Sequence, residues 1–240
     1  MNTDCKLPSG ATTAAPWENS LGMRFVPAPG TEVLFSIWDT RVQDYEVFVR
    51  AKGLKWEKPS FAQGPTHPAV NVSWNYAKAF CVWLTESERR AGLLTAGESY
   101  RLPMDWEWSV AVGLDEPREG TPAEKSCEIK GVYPWGTQWP PPRGAGNYSS
   151  WLGVDDFGFT SPVGTFAANR YGLFDMGGNV RQWCEDLWES GSGGRVLRGA
   201  SWGNIGPDDL LSSYRDSSVG PDRSCSSDGF RCVLMGVSSR

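Results

Sequence analysis

Six cysteines, one histidine and a scatter of aspartates are the side chains of this 240-residue chain that could do covalent or metal chemistry. The cysteines are Cys5, Cys81, Cys127, Cys184, Cys225 and Cys232, and no two stand as a Cys-x-x-Cys pair. An even count permits disulfides without implying them. They read mostly as free thiols, with Cys81 and Cys184 in the core. The lone histidine, His67, excludes a three-histidine iron site or a two-histidine zinc site within one chain. It stands in Thr-His-Pro, a turn context, and no nucleophile elbow accompanies it. Asp208, Asp209, Asp216 and Asp222 could hold a metal or do acid–base work, but solvated loop acids are the simpler reading.

The elements that must position these groups are short. The chain has 28 Gly and 17 Pro, so turns are frequent, and 13 Trp, each able to bury a large area in a loop-rich core. Residues 1–20 read as a flexible lead and residues 21–236 as one domain. Alternating apolar residues from Leu21 to Val26 read as a strand, and Val33 to Ile37 reads as a second. A helix follows, capped by Thr40, with Val42, Tyr45, Phe48 and Val49 on one face and Gly53 at its end. A second helix begins near Ser73 or Asn75, carries Ala77, Phe80, Cys81 and Leu84 inward, and stops at Gly92. A third follows Pro103, with Asp105 in its first turn and Gly113 at its end. Beyond Gly131 long structured loops are expected, with short strands at Arg195–Arg198 and Phe230–Leu234.

Net charge is −5, which argues against nucleic acid as the main partner, since phosphate binding needs a basic face. No apolar run is long enough to span a bilayer, and Met1–Pro16 lacks the apolar core of a signal peptide. A cytoplasmic protein without membrane contact is the expectation.

Several segments carry a resemblance. They are His67-Pro-Ala-Val-Asn-Val-Ser-Trp74, Tyr100-Arg-Leu-Pro-Met-Asp-Trp-Glu-Trp108, Tyr133-Pro-Trp-Gly136, Tyr171-Gly-Leu-Phe-Asp-Met-Gly-Gly-Asn-Val-Arg-Gln-Trp183, Arg195-Val-Leu-Arg-Gly-Ala-Ser-Trp202 and Gly229-Phe-Arg-Cys-Val233. In this order they resemble the formylglycine-generating-enzyme (sulfatase-modifying factor) family. The resemblance implies an α+β, C-type-lectin-like fold, loop-rich with few helices and short strands. Trp74, Trp83, Trp108, Trp183 and Trp202 are then core residues. Arg101 and Arg231 read as buried arginines that satisfy loop carbonyls and carboxylates rather than as substrate clamps.

Members of that family that oxidise a substrate cysteine hold copper with two cysteines, soft ligands suited to Cu(I). The resemblance places those positions at Asn204 and Asp209, which offer hard oxygen instead. No copper is therefore expected, and the chain reads as a domain that binds rather than catalyses. The branch of this fold that makes sulfoxides with iron needs histidines that this chain lacks. The resemblance also implies two structural Ca2+ sites. One would use Asp175 and Gln182 side chains with the carbonyls of Gly178 and Val180; the other, Asn147 and Asp155 side chains with the carbonyls of Tyr148 and Phe157. Calcium favours such oxygen sets. Where the family has Glu this chain has Gln182, which should weaken the first site. The alternative is that Asp175 and Asp155 simply cap turns.

Residues 203–228 are rich in Ser, Gly and Asp, with one Tyr and two Arg, a composition that adaptable binding loops share. Leu210 and Leu211 anchor the segment, and the rest reads as solvent-facing. It resembles the diversified stretch of variable proteins from diversity-generating retroelements, which lies between the same flanking motifs. It contains no Lys, Glu, Gln, Met or Trp, residues that mutagenesis of Asn codons at adenines cannot supply. The expected ligand-binding face is Trp202, Asn204, Ile205, Asp209, Tyr214, Asp216, Ser218, Arg223 and Ser226, and its ligand is a protein or a small molecule. Two alternatives stand beside it: an oxidase acting on sulfatase cysteines, and a regulatory domain of a larger signalling protein.

Overall fold

The computed structural model of the protein describes residues 10–236, apart from the side chains of residues 217–219. In chain order its elements are β1 (Trp17–Glu18), β2 (Arg24–Pro27), β3 (Val33–Ser36), α1 (Val42–Lys52), α2 (Trp74–Arg90), β4 (Ser99–Arg101), α3 (Asp105–Val112), α4 (Pro122–Lys125), β5 (Arg181–Leu187), β6 (Arg195–Arg198), β7 (Arg215–Val219), β8 (Asp228–Gly229) and β9 (Val233–Met235). One antiparallel sheet runs β1-β2-β3-β9-β4, and a second runs β7-β6-β5-β8 with β5 and β8 parallel. The α+β, lectin-like architecture is thus present.

The first sheet is a buried middle layer. Successive strand residues face opposite sides, and both sides are apolar. Phe25, Leu34 and Leu234 meet Phe48, Phe80 and Trp83 of α1 and α2. Val26, Val33, Phe35 and Val233 meet Trp108 and Ala111 of α3 together with Leu173 and Val196. The helices form where their apolar faces were read. Gly53 closes α1 in the left-handed region at φ 62, and Ser73 Oγ caps α2 by accepting from Tyr76 N at 3.3 Å.

Three local readings need correction. The cap of α1 is Arg41, whose N–H and guanidinium both bond to Asp44, while Thr40 N donates to Phe230 O. The first sheet begins inside the supposed lead: Trp17 pairs with Phe25 and packs its ring on Phe25 and Tyr100. Residues 203–228 are not mostly solvent-facing, because β7 crosses them and Ser212, Ser213, Arg215 and Asp228 are buried.

Buried Trp183 and half-buried Trp74 spend their N–H groups on the frame. Trp183 donates to Val72 O and Trp74 to Cys184 O. Cys81, Cys184 and Cys232 are buried free thiols, with the Cys81 and Cys232 sulfurs 3.6 Å apart. Arg101 and Arg231 take structural roles: Arg101 forks onto Glu107 at 2.6 and 2.7 Å, and Arg231 bonds to the carbonyls of Ser36 at the end of β3 and of Phe174 in a loop.

α3 is joined to the second sheet by buried charge. Asp105 receives Arg198 Nη1 at 2.5 Å and a fork from Arg215, Nε and Nη2 each at 3.0 Å. Lys125 Nζ stands 3.3 Å away. Burial alone would raise the Asp105 pKa, but Arg198 and Arg215 outweigh it and hold the carboxyl well below the aspartate range. A depressed folded-state pKa stabilises above the unfolded value of about 4 and loses that contribution as pH falls below it. Asp105→Asn strands guanidinium charge in the core, a loss of about 3–5 kcal/mol. Urea unfolding at pH 7 should show that loss, with the gap between wild type and variant narrowing in acid. A gap independent of pH would refute the pairing.

Candidate functional site

β6 ends at Arg198, and the chain turns at Gly199 with φ 75, where a Cβ would lie 3.3 Å from both Met176 O and the Trp108 ring. Only glycine combines that backbone with that space. Ser201–Asn204 then forms a tight turn. Asn204 Oδ1 accepts from Ser201 N at 2.9 Å and Ser201 Oγ at 2.7 Å, and Asn204 O accepts from Ser149 N at 3.0 Å. The Asn204 side chain is thus committed to the turn rather than displayed for a ligand.

Trp202 leaves the core and faces the rim. Its N donates to Asn179 O, its Nε1 to Ser226 O at 3.1 Å. Its ring meets Phe159 edge-on at 5.1 Å and Phe61 at 5.7 Å, and those two phenyls stack at 4.4 Å. Phe61 and Phe159 were not read as site residues. Phe61 stands alone in a polar loop and Phe159 follows Phe157 in a Gly-rich one, with no helical or strand run to mark either. Phe159 and Ile205 are each 46% exposed, and Trp151, close in sequence to the Ser149 that bonds Asn204, is 88% exposed. These are large apolar side chains left in water.

A polar half adjoins this apolar one through Ser226 and Ser227. Arg181 N donates to Ser227 O, and its guanidinium forks onto Asp228 and ion-pairs with Asp216. Tyr214 is half-buried, and burial, then Asp216 and Asp209, push its phenol up to about 12. Leu210 and Leu211 are buried and anchor the segment, as read. Arg223 is exposed, with its N–H turned back to Gly220 O. The Ser218 side chain lies outside the described residues. The structure therefore joins Trp202, Ser226 and Asp216 through contacts, with Arg181 as an unforeseen link, while Tyr214 packs against the cluster of Tyr133, Tyr148 and Leu211. Cys127 is a second surprise: its half-buried Sγ lies 3.8 Å from Asp208 O, beside Asp209.

A cleft of about 260 Å³ opens elsewhere, among Trp135, Arg143, Phe166 and Asp175. A smaller one of about 150 Å³ takes Asp222 and Ser224 from this segment, with Trp56 and Tyr76 opposite.

The two expected calcium sets differ in fit. In the first, Gln182 Oε1 already accepts from Trp108 Nε1 and Arg231 Nε, and its Nε2 donates to Asp175 O. Gly178 O accepts from Val180 N. A side chain whose only oxygen is spent, and which turns an NH2 inward, is no calcium ligand, so this set does not fit. In the second, Asn147 Oδ1 is buried with no partner among the described residues. Asp155 accepts one N–H per carboxylate oxygen, from Tyr148 and Phe157, and keeps lone pairs to spare. That set has calcium's chemistry. Among the described residues, no three His, Cys, Asp or Glu side chains gather as a metal site. None of their helices is long and apolar enough to cross a membrane.

The sulfatase-modifying factor enzyme 1-like domain matches residues 21–235. The chain belongs to this family. A formylglycine-generating enzyme of Thermomonospora curvata is 31% identical, over 86% of this chain and 68% of its own. The inactive C-alpha-formylglycine-generating enzyme 2 of Mus musculus is 35% identical over 69% of this chain, which spans about half of that relative's length (48%). Among solved structures, Treponema denticola variable protein 1 superposes with a TM-score of 0.56 at 21% identity, covering 84% of each chain, and shares the fold.

The turn at Asn204 can be tested directly. Asn204→Ala leaves Ser201 N without its acceptor and should cost about 1–2 kcal/mol. Thermal unfolding should show it; an unchanged midpoint would mean that the asparagine is free for another task.

Proposed function

We propose that this domain binds a partner, protein or small molecule, through the face built by residues 202–228 with Phe61, Phe159 and Trp151, and does not oxidise cysteine. The observation that carries this reading is the cluster of Trp202, Phe159 and Phe61 at the rim, with Phe159 exposed, joined through Ser226 and Ser227 to a hydrogen-bonded polar cluster. Interfaces of this make-up place aromatic anchors at the centre and polar groups at the rim. Asn204 and Asp209 offer oxygen where copper chemistry would want thiolate, and the mouse relative described as inactive lends support by kinship.

Diversification of the segment is part of the proposal, with a restriction. Leu210, Leu211, Ser212, Ser213, Arg215 and Asp228 are buried, so variation among alleles should fall on the exposed positions between them. Trp151→Ala and Ile205→Ser should leave the thermal midpoint unchanged, because each removes exposed surface, while cutting retention of a binding partner about tenfold or more. Equal retention by wild type and both variants would move the site off this face.

A second reading, oxidation of a sulfatase cysteine, draws on Cys127 beside Asp208 and on the kinship with the Thermomonospora curvata enzyme. Reduced protein with Cu(I) and a cysteine peptide separates the two. No copper binding and no formylglycine supports the binding domain. Turnover abolished by Cys127→Ser establishes the oxidase.

Calcium at the 147–157 loop would be structural, fixing the loop that carries Trp151 and Phe159. Saturating Ca2+ at about a hundred times its Kd should stabilise the wild type by about 2.7 kcal/mol over chelator. Asp155→Asn should abolish that difference, and a calcium effect that survives in the variant would place the ion elsewhere.

A further inference from the structure

Arg231 has five N–H donors and a permanent charge, and its side chain is fully buried. Nε donates to Gln182 Oε1 at 2.7 Å, Nη1 to Ser36 O at 3.0 Å and Nη2 to Phe174 O at 2.7 Å. Nη2 also lies 3.6 Å from the Asp39 carboxylate, itself fully buried and without a hydrogen bond among the described residues. Trp108 Nε1 gives the same Gln182 oxygen a second donor at 2.9 Å.

Those two donors fix the amide. Neither an indole N–H nor a guanidinium N–H can accept, so the Gln182 oxygen must face them and its NH2 must face away. The NH2 then donates to Asp175 O at 2.9 Å. The positive end of the amide dipole thus points at the Asp175 carbonyl, and a permanent cation holds the amide's other end and the carbonyl of the neighbouring Phe174.

We propose that the first of the two expected cation positions is, in this chain, a metal-free joint locked by Arg231, and that residue 182 alone decides this. A divalent ion beside Asp175 needs oxygen from residue 182, and Gln182 has none left to give. A carboxylate there would behave in the opposite way. One oxygen would keep Trp108 and Arg231. The other would replace the NH2 and meet the Asp175 carbonyl, oxygen against oxygen, a repulsion that a cation between them relieves. The single atom change from NH2 to O turns a hydrogen bond into a demand for metal.

The test uses the full chain, calcium ion alone and thermal unfolding, in an Asp155→Asn background so that the outcome does not depend on the 147–157 loop. In that background the midpoint should be the same in calcium and in chelator. Adding Gln182→Glu should lower it in chelator and restore it with calcium, a shift gained by one substitution. A calcium shift in Asp155→Asn alone that Asp175→Asn removes would overturn the proposal. So would a Gln182→Glu protein indifferent to calcium. Should the double variant fail to fold, equilibrium dialysis of radioactive calcium against Asp155→Asn decides: no bound ion supports the joint, and one ion per chain that Asp175→Asn removes overturns it.

Discussion

The carboxylate of Asp105 is met by guanidinium groups from two strands, Arg198 at the end of β6 and Arg215 at the start of β7. Charges in a dry interior survive only when nearly every polar atom around them is matched. Here Arg198 also bonds to Ser109 Oγ and Ser212 O, and Arg215 to Ser213 O and Glu116. The consequence is mechanical. Residues 199–214 leave and re-enter the fold at two points fixed to one atom group on α3. A loop closed that way can vary in its exposed part while its base stays put, which is the arrangement that binding loops on rigid scaffolds share.

Much of this frame was readable because its determinants are local. Apolar periodicity marked α1 and α2, a short apolar run marked β3, glycines marked the helix ends, and the Arg-Val-Leu-Arg-Gly-Ala-Ser-Trp segment marked the entry to the face. The exit at Arg215 was not readable. In sequence it is a charged residue in a run of small polar ones, which normally means solvent. Its burial depends on Asp105, 110 residues earlier. Phe61, Phe159 and Cys127 were missed for a similar reason: each owes its place to a contact far along the chain, and none carries a local pattern.

The same distinction separates the two expected calcium sets. As ligand types, Asp175 with Gln182 and Asn147 with Asp155 look alike, a carboxylate beside an amide. What differs is where the amide oxygen is already engaged. Gln182 gives its oxygen to Trp108 and Arg231, whereas Asn147 uses its NH2 for Phe159 O and Asn179 Oδ1 and leaves its oxygen unspent. Residue type names the atoms available. Only the donors converging from other segments show which of them remain free.

Asn204 extends that argument from metal to catalysis. Its side-chain oxygen holds both the N–H and the hydroxyl of Ser201, and this pair of bonds shapes the turn that carries Trp202 to the surface. A thiol is a weak acceptor and would hold that turn poorly, while a hard amide oxygen would hold Cu(I) poorly. One side chain cannot serve both ends. In this chain the side-chain oxygen at position 204 has gone to the turn. The fold is compatible with either use; what separates them is the atom that a single residue presents at the head of the loop.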